Sequence, residues 1–272
     1  MKTYKHLYGK LCSKENIYLA YKNARKRKSK KSSVIEFEIN LNENFKELQN
    51  ELINLTYKPR PLRRFIVRDP KTRTIHASAF RDRIVHHAII NIIQPIFERR
   101  FISDSYASIK KKGVHAAVKR FDYFKKCVSQ NGLVVKMGGQ NGNCVQGYCL
   151  KADIRHYFDT VSHEILILIL MRKIKDGKVI WLIRKVLNNF DSPVKGTGMP
   201  LGNFTSQFFA NVYLNELDYF VKHILKAKYY IRYVDDFIIL HRSKKRLEYY
   251  DILRTLKVCP SGKSPSASAV SI

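Results

Sequence analysis

Apolar and polar positions come in blocks along this chain, and the period of each block predicts its element. Phe45, Leu48, Leu52 and Leu55 recur at helical spacing within VIEFEINLNENFKELQNELINLTY (34–57), so a helix is expected there, behind a short strand-like alternation. A second helix is expected over 81–101, where Ile84, Val85, Ala88, Ile89, Ile92, Ile93 and Ile96 share one face and Pro95 marks a kink or break. KVIWLIRKVLNNF predicts a third, and from Ser206 onward Phe209, Val212, Tyr213, Leu217, Phe220 and Ile224 predict a fourth. SKKRLEYYDILRTLKV is also helix-compatible.

Strand signals separate these helices. In RPLRRFIVRDPKTRTIHA (60–77), two β-rich runs flank Asp69-Pro70-Lys71, which predicts a hairpin carrying Arg63, Arg64, Arg68, Lys71 and Arg73. CLKADIRHYFDTV is strand-like, and Ser162 is placed to cap a helix starting near His163. KYYIRYVDDFIILH (228–241) puts β-formers on both sides of Asp235 and Asp236, a second hairpin with two carboxylates at its tip. GGQNGN reads as an exposed turn, and CPSGKSPSASAVSI has little to bury and reads as a disordered end.

Charge changes this picture. The 272 residues carry 51 Lys plus Arg against 22 Asp plus Glu, a formal net charge of +29. That excess favours a polyanionic partner, with nucleic acid ahead of a membrane surface. No apolar run reaches the roughly 18 residues of a spanning helix, and MKTYKHLYGKLCSK lacks the apolar centre of a secretory signal. A soluble, cytoplasmic protein with no membrane partner is therefore expected. Five cysteines without C-x-x-C spacing read as free thiols rather than a disulfide framework or zinc site. KNARKRKSKK, before Ser32-Ser33, is either a solvated charge run or a phosphate-binding arm.

The chemistry lies in the acids. A pair of adjacent Asp residues is ordinarily a turn feature, but Asp235 and Asp236 sit between apolar arms, where unneutralised carboxylates are costly. Asp153, at the end of the strand-like CLKAD, is a third acid that a neighbouring strand could bring beside them. Such oxygen ligands suit Mg²⁺, and a pair of ions could activate an attacking hydroxyl and stabilise a leaving oxygen in phosphoryl transfer.

This arrangement resembles the palm of reverse transcriptases, in which an Asp on one strand and a Y-x-D-D hairpin form the metal site. The stretch from Arg60 to Ser108 looks like the fingers motifs of bacterial reverse transcriptases, and GMPLGNFTSQFFANVYLNELD looks like the motif between the carboxylate strands. The motifs occur in family order over roughly residues 40 to 241. Group II intron enzymes usually show Q-G before S-P, where this chain has Leu201-Gly202 and Ser206-Gln207. The L-G-N-x-T-S-Q form, with DPK-x-R-x-I and DR-x-VHHA, looks most like enzymes of diversity-generating retroelements within the group II intron-like branch.

The resemblance implies an α+β right-hand polymerase of fingers and palm, an antiparallel sheet with helices packed on it, and RNA-directed DNA polymerase activity. It implies Asp153, Asp235 and Asp236 as catalytic metal ligands, with the Ile154 carbonyl as a helper, for two Mg²⁺ ions that Mn²⁺ can replace. Arg68, Lys71 and Arg73 match the cations that hold the incoming triphosphate. Phe158 matches the steric gate against a ribose 2′-hydroxyl, and Leu201 and Gly202 stand near the incoming base and sugar. Lys110, Lys111, Lys112 and Tyr233 are the expected template and primer contacts. An RNA template, a DNA or RNA primer and dNTPs are the implied partners, with a small accessory protein of the retroelement as a further one.

Leu201 stands where many relatives have Gln, and an apolar side chain there cannot donate a hydrogen bond. Looser discrimination, as in the error-prone copying of template adenines by this family, is the implied result. His86 and His87 lie on the apolar helix and are expected to pack rather than catalyse. The expected division is a basic segment at 1–33, a fingers and palm domain at 34–257, and a disordered or aberrant tail at 258–272. Nothing after Leu240 resembles the family's primer grip or thumb, so a truncated thumb is expected. A remnant that binds RNA or a protein without polymerising, and a retron-like or phage-defence enzyme, are the alternative readings.

Overall fold

The computed structural model of the protein describes residues 2–69, 71–129, 147–255 and 266–271. The chain divides into two compact units, one built from 1–99 and 158–212 and the other from 100–157 and 213–272. Among the described residues no helix is long and apolar enough to cross a membrane.

The first unit is organised by α5, Phe80–Phe97, whose Ile84, Val85, Ala88, Ile89 and Ile93 are buried as the 3.6-residue period requires. Pro95 neither breaks nor displaces this helix, which runs two residues past it; with no amide to donate, proline near a helix end removes only one late hydrogen bond. Among the described residues four helices precede α5: α1 (Tyr8–Leu11), α2 (Lys14–Arg25), α3 (Ser32–Ile39) and α4 (Leu41–Ile53). Ser13 caps α2 by accepting from the Asn16 amide, and Asn16 in turn donates to the Leu11 and Ala88 carbonyls. The basic N-terminal stretch is thus folded into this unit through Ile17, Ala20, Tyr21 and Ala24, with its lysines outside. The strand-like alternation expected after Val34 is a helix instead. Val34 and Phe37, three residues apart, are both buried, while Ile35 and Ile39 are exposed, so helical packing overrides a six-residue alternation.

The expected first hairpin is present. Strand β1 (Arg63–Val67) pairs antiparallel with β2 (Arg73–Ala77), from Arg63 opposite Ala77 to Val67 opposite Arg73. The unit is completed by α7 (Tyr157–Thr160, from Phe158 on), α8 (His163–Met171), capped by Ser162, and α9 (Gly177–Leu187), capped by Asp176. The first part of α10 (Phe204–Tyr219) also belongs here. His86 is buried on α5 and pushed down to about 3 by that burial, with His87 down to about 4 for the same reason, both consistent with packing.

The second unit is a four-stranded sheet in the order β4-β5-β3-β6. Its strands are β3 (Tyr148–Asp153), β4 (Tyr229–Tyr233), β5 (Asp236–His241) and β6 (Ser266–Ser271), with every neighbouring pair antiparallel. α6 (Val114–Val128) covers it, so that Tyr106, Phe124, Val128, Ile231 and Leu240 form one core. The remaining α10 residues run through a π-helical turn, Phe220–Ile224, into β4, and α11 (Lys244–Thr255) follows β5. Where an unstructured end was expected, 266–271 is a strand beside β3, whose backbone edge offers ladder hydrogen bonds to small residues as well as to large ones. The GGQNGN turn and 256–265 lie outside the described residues. The expected α+β architecture, an antiparallel sheet with helices packed on it, is the one observed.

Candidate active site

Strand β3 ends on Asp153 and β5 begins on Asp236, and these two are register partners. Directly opposed residues of an antiparallel pair share a face with Cβ atoms about 4.5–5.5 Å apart, so both carboxylates project together. Asp235 joins them from the connection between Tyr233 and Asp236, which pair across β4 and β5 with only Val234 and Asp235 between. Carboxylate oxygens of Asp153, Asp235 and Asp236 lie within 4.8 Å of one another. Asp235 is half-buried and the other two are exposed.

Two like charges 4 Å apart repel by about 4 kcal/mol at the effective dielectric of a protein surface. Three such groups are a poor arrangement unless a cation or a proton stands between them. The donors are all carboxylate oxygens, without Cys or His, a set that fits hard Mg²⁺ or Mn²⁺ rather than zinc. The Ile154 carbonyl already accepts the Tyr157 amide at 3.2 Å, which closes the turn after β3, and its second lone pair remains.

The turn that carries Asp235 is unusual. Two-residue hairpin connections need positive φ, which Gly and Asn adopt readily, yet Val234 has φ +56°. A β-branched residue there is strained by about 1–3 kcal/mol, and such strain persists only where the surroundings hold it. Arg232, fully buried on β4, donates from Nη1 to the Val234 carbonyl at 3.1 Å. Its Nε and Nη2 donate to the two oxygens of fully buried Asp218 on α10, each at 2.7 Å. Tyr230 donates its hydroxyl to the same carboxylate at 2.8 Å. Burial works against the Arg232 charge, but Asp218 outweighs it and the guanidinium pKa is raised; burial and then Asp218 hold the Tyr230 hydroxyl well above its ordinary value. The Arg232 backbone is anchored too, its amide donating to the Asp104 carbonyl and its carbonyl accepting from Tyr106.

The other expected site residues are distributed over both units. Arg68, Lys71 and Arg73 are exposed around the β1–β2 hairpin, and Phe158 is half-buried in α7. Leu201 gives its carbonyl to the His76 amide at 3.0 Å. Gly202 has φ +103°, and a Cβ there would stand 2.7 Å from Ile75 Cγ2, so only glycine fits against β2. In the second unit Tyr233 and lysines 110 and 111 are exposed. Lys112 instead donates to the Ser103 and Ser105 carbonyls and lies over the Tyr106 ring, so its ammonium ties down its own loop.

Sequence reasoning missed Asp218, Arg232 and Asp104. Asp104 is buried beneath Arg120 (2.8 Å) and Lys222 (3.6 Å). Of the three only Arg232 carried a signal, a charged residue inside the otherwise apolar YYIRYV; Asp104 sits between two serines and Asp218 follows Asn215 and Glu216, where an acid is unremarkable.

Strands that converge three acids, one at a strand end and two at a hairpin, are matched by family. The family described as reverse transcriptase (RNA-dependent DNA polymerase) matches residues 67–260, and the chain belongs to it, in its group II intron-like branch. The group II intron-encoded protein LtrA of Lactococcus lactis subsp. cremoris is 28% identical over 258 residues, covering 89% of this chain and 40% of that protein. Protein YkfC of Escherichia coli (strain K12) is 29% identical over 181 residues, covering 64% of this chain and 44% of that protein. An uncharacterized 91 kDa protein in the cob intron of Schizosaccharomyces pombe is 28% identical over 187 residues, 65% of this chain and 20% of that protein. The chain thus spans less than half the length of these relatives.

Proposed function

We propose that this chain is an RNA-directed DNA polymerase that adds dNMP to a primer 3′-hydroxyl on an RNA template, in the cytoplasm. The observation that carries the reading is the convergence of Asp153, Asp235 and Asp236 to within 4.8 Å in a chain of this family. These three carboxylates would hold two Mg²⁺ ions, or Mn²⁺ in their place. Such ions, when bound, activate the attacking hydroxyl and stabilise the departing pyrophosphate oxygen.

The chain's own residues then bind and orient. Arg68 and Arg73, with Lys71, present exposed cations suited to a triphosphate, since a guanidinium fork matches phosphate oxygens in pairs. Phe158 would exclude a ribose 2′-hydroxyl by bulk. Lys110 and Lys111 supply cations for template phosphates, and Tyr233 an aromatic edge for the primer, while Lys112 shapes their loop. Leu201 supports the finer assignment to a diversity-generating retroelement: its apolar side chain offers no hydrogen bond by which a wrong base is rejected, so copying opposite adenine would be error-prone. A small accessory protein fits that setting.

Extension of a labelled DNA primer on an RNA template with Mg²⁺ and dNTPs tests the reading. Incorporation by the wild-type chain, lost in Asp235→Asn, supports it. An intact chain that binds the RNA and extends nothing overturns it in favour of a non-polymerising binder.

A further inference from the structure

The carboxylate triad is only as well aimed as the two-residue turn that carries Asp235, and nothing in the turn's own sequence favours its shape. Val234 sits at φ +56°, where a β-branched side chain is disfavoured, and no glycine or asparagine relieves it. What meets the turn is a guanidinium. Arg232 reaches past its own strand to the Val234 carbonyl at 3.1 Å, using the Nη1 donor not aimed at Asp218. The other side of the guanidinium is fixed by two 2.7 Å hydrogen bonds to Asp218, both residues being fully buried. Tyr230 holds the Asp218 carboxylate from the side, at 2.8 Å. A planar fork seated in this way has no free rotation, so the third donor points in one direction.

A buried ion pair is a weak source of stability, because desolvation offsets its attraction, and an apolar pair of similar volume often serves as well or better. The pair is better explained by position. It stands one turn of chain from the triad and contacts the strained residue itself.

We propose that Arg232, clamped by Asp218, is a positioning residue that holds the Val234 carbonyl and through it sets the Asp235 carboxylate beside Asp153 and Asp236. The inference rests on the metal-binding role given to those carboxylates above. Arg232 touches neither metal nor substrate in this role; it acts through the turn.

Mn²⁺ binding to the intact chain, followed by electron paramagnetic resonance and calorimetry, tests this without any need for turnover. Wild type is expected to bind and Asp235→Asn to lose most of that affinity. Arg232→Lys keeps the charge but cannot grip Asp218 with two donors while reaching Val234, and is expected to bind Mn²⁺ at least about tenfold more weakly. In primer extension it is expected to lower kcat with KM for dNTP little changed. Because a broken buried pair can unfold the chain, Arg232→Met combined with Asp218→Leu removes both charges together and retains a packed core. That double variant is expected to keep a wild-type melting temperature within a few degrees yet show the same tenfold loss of Mn²⁺ affinity. If a folded double variant binds Mn²⁺ as wild type does, while Asp235→Asn does not, the positioning role is overturned and the metal reading stands. If wild type binds no Mn²⁺, or Asp235→Asn binds it equally, both fall together.

Discussion

Asp153 and Asp236 face each other as register partners across β3 and β5, the last residue of one strand against the first of the other. Placing them there costs repulsion in the metal-free protein, and a divalent ion would convert that cost into stability. Mg²⁺ at a hundred times its dissociation constant is expected to stabilise the fold by about 2.7 kcal/mol. Thermal unfolding with and without Mg²⁺ checks this: the wild-type midpoint should rise, and that of Asp235→Asn should not. Under the metal-binding role proposed for these acids, loss of one carboxylate also misplaces the reacting groups, so primer extension by Asp153→Asn or Asp236→Asn should fall by about a hundredfold or more.

Gly202 is predicted to tolerate no side chain. Alanine at φ +103° is strained, and its Cβ would press on Ile75 at 2.7 Å. Gly202→Ala should cost about 1–3 kcal/mol, read as a lower urea midpoint at an unchanged slope.

Replacing Leu201 with Gln restores a hydrogen-bonding side chain beside the expected position of the incoming base. Leu201→Gln should narrow the misincorporation spectrum opposite template adenine, measured by sequencing the cDNA. An unchanged spectrum would overturn the role proposed for Leu201.

His86 predicts an acid-sensitive fold. Burial depresses its pKa to about 3, whereas the unfolded chain protonates it near the ordinary value of 6.5. Between those values the unfolded state binds the extra proton, so its contribution to stability is present above about pH 6.5 and is lost as pH falls towards about 3. The slope from one such group is about 1.4 kcal/mol per pH unit. His86→Gln should flatten the decline in urea midpoint between pH 6.5 and 4, even if it lowers the midpoint at pH 7.5.

How much of this was legible in the sequence depended on whether the signal was local. The helical period of α5 and α9 and the apolar arms around Asp235 and Asp236 lie in single continuous stretches, and each appeared as its expected element. The convergence of Asp153 with that pair is long-range: the strand pattern allowed it, and the motif resemblance singled it out. In α3, the alternation from Val34 to Ile39 misled because a run that short satisfies both periods, and burial of Val34 and Phe37 chose between them. The Arg232–Asp218 pair was invisible because its members are 14 residues apart on a helix and a strand, and no propensity rule says which buried charges will meet. Lys112 shows another limit: its hydrogen bonds to the Ser103 and Ser105 carbonyls depend on a loop conformation that a run of lysines does not specify.

Strand β1 has β2 as its one ladder partner among the described residues, and Phe65, Ile66 and Val67 remain 42%, 55% and 39% exposed. Two-stranded ribbons are marginal in water, and here β2 is tied down through His76 and the close approach of Gly202 to Ile75. Amides of β1 should therefore exchange with solvent far sooner than those of β3 or α5, by local opening rather than global unfolding. Arg68 and Arg73 ride on that ribbon, so under the nucleotide-binding role proposed for them, the temperature at which nucleotide binding fails would lie below the temperature at which the chain melts.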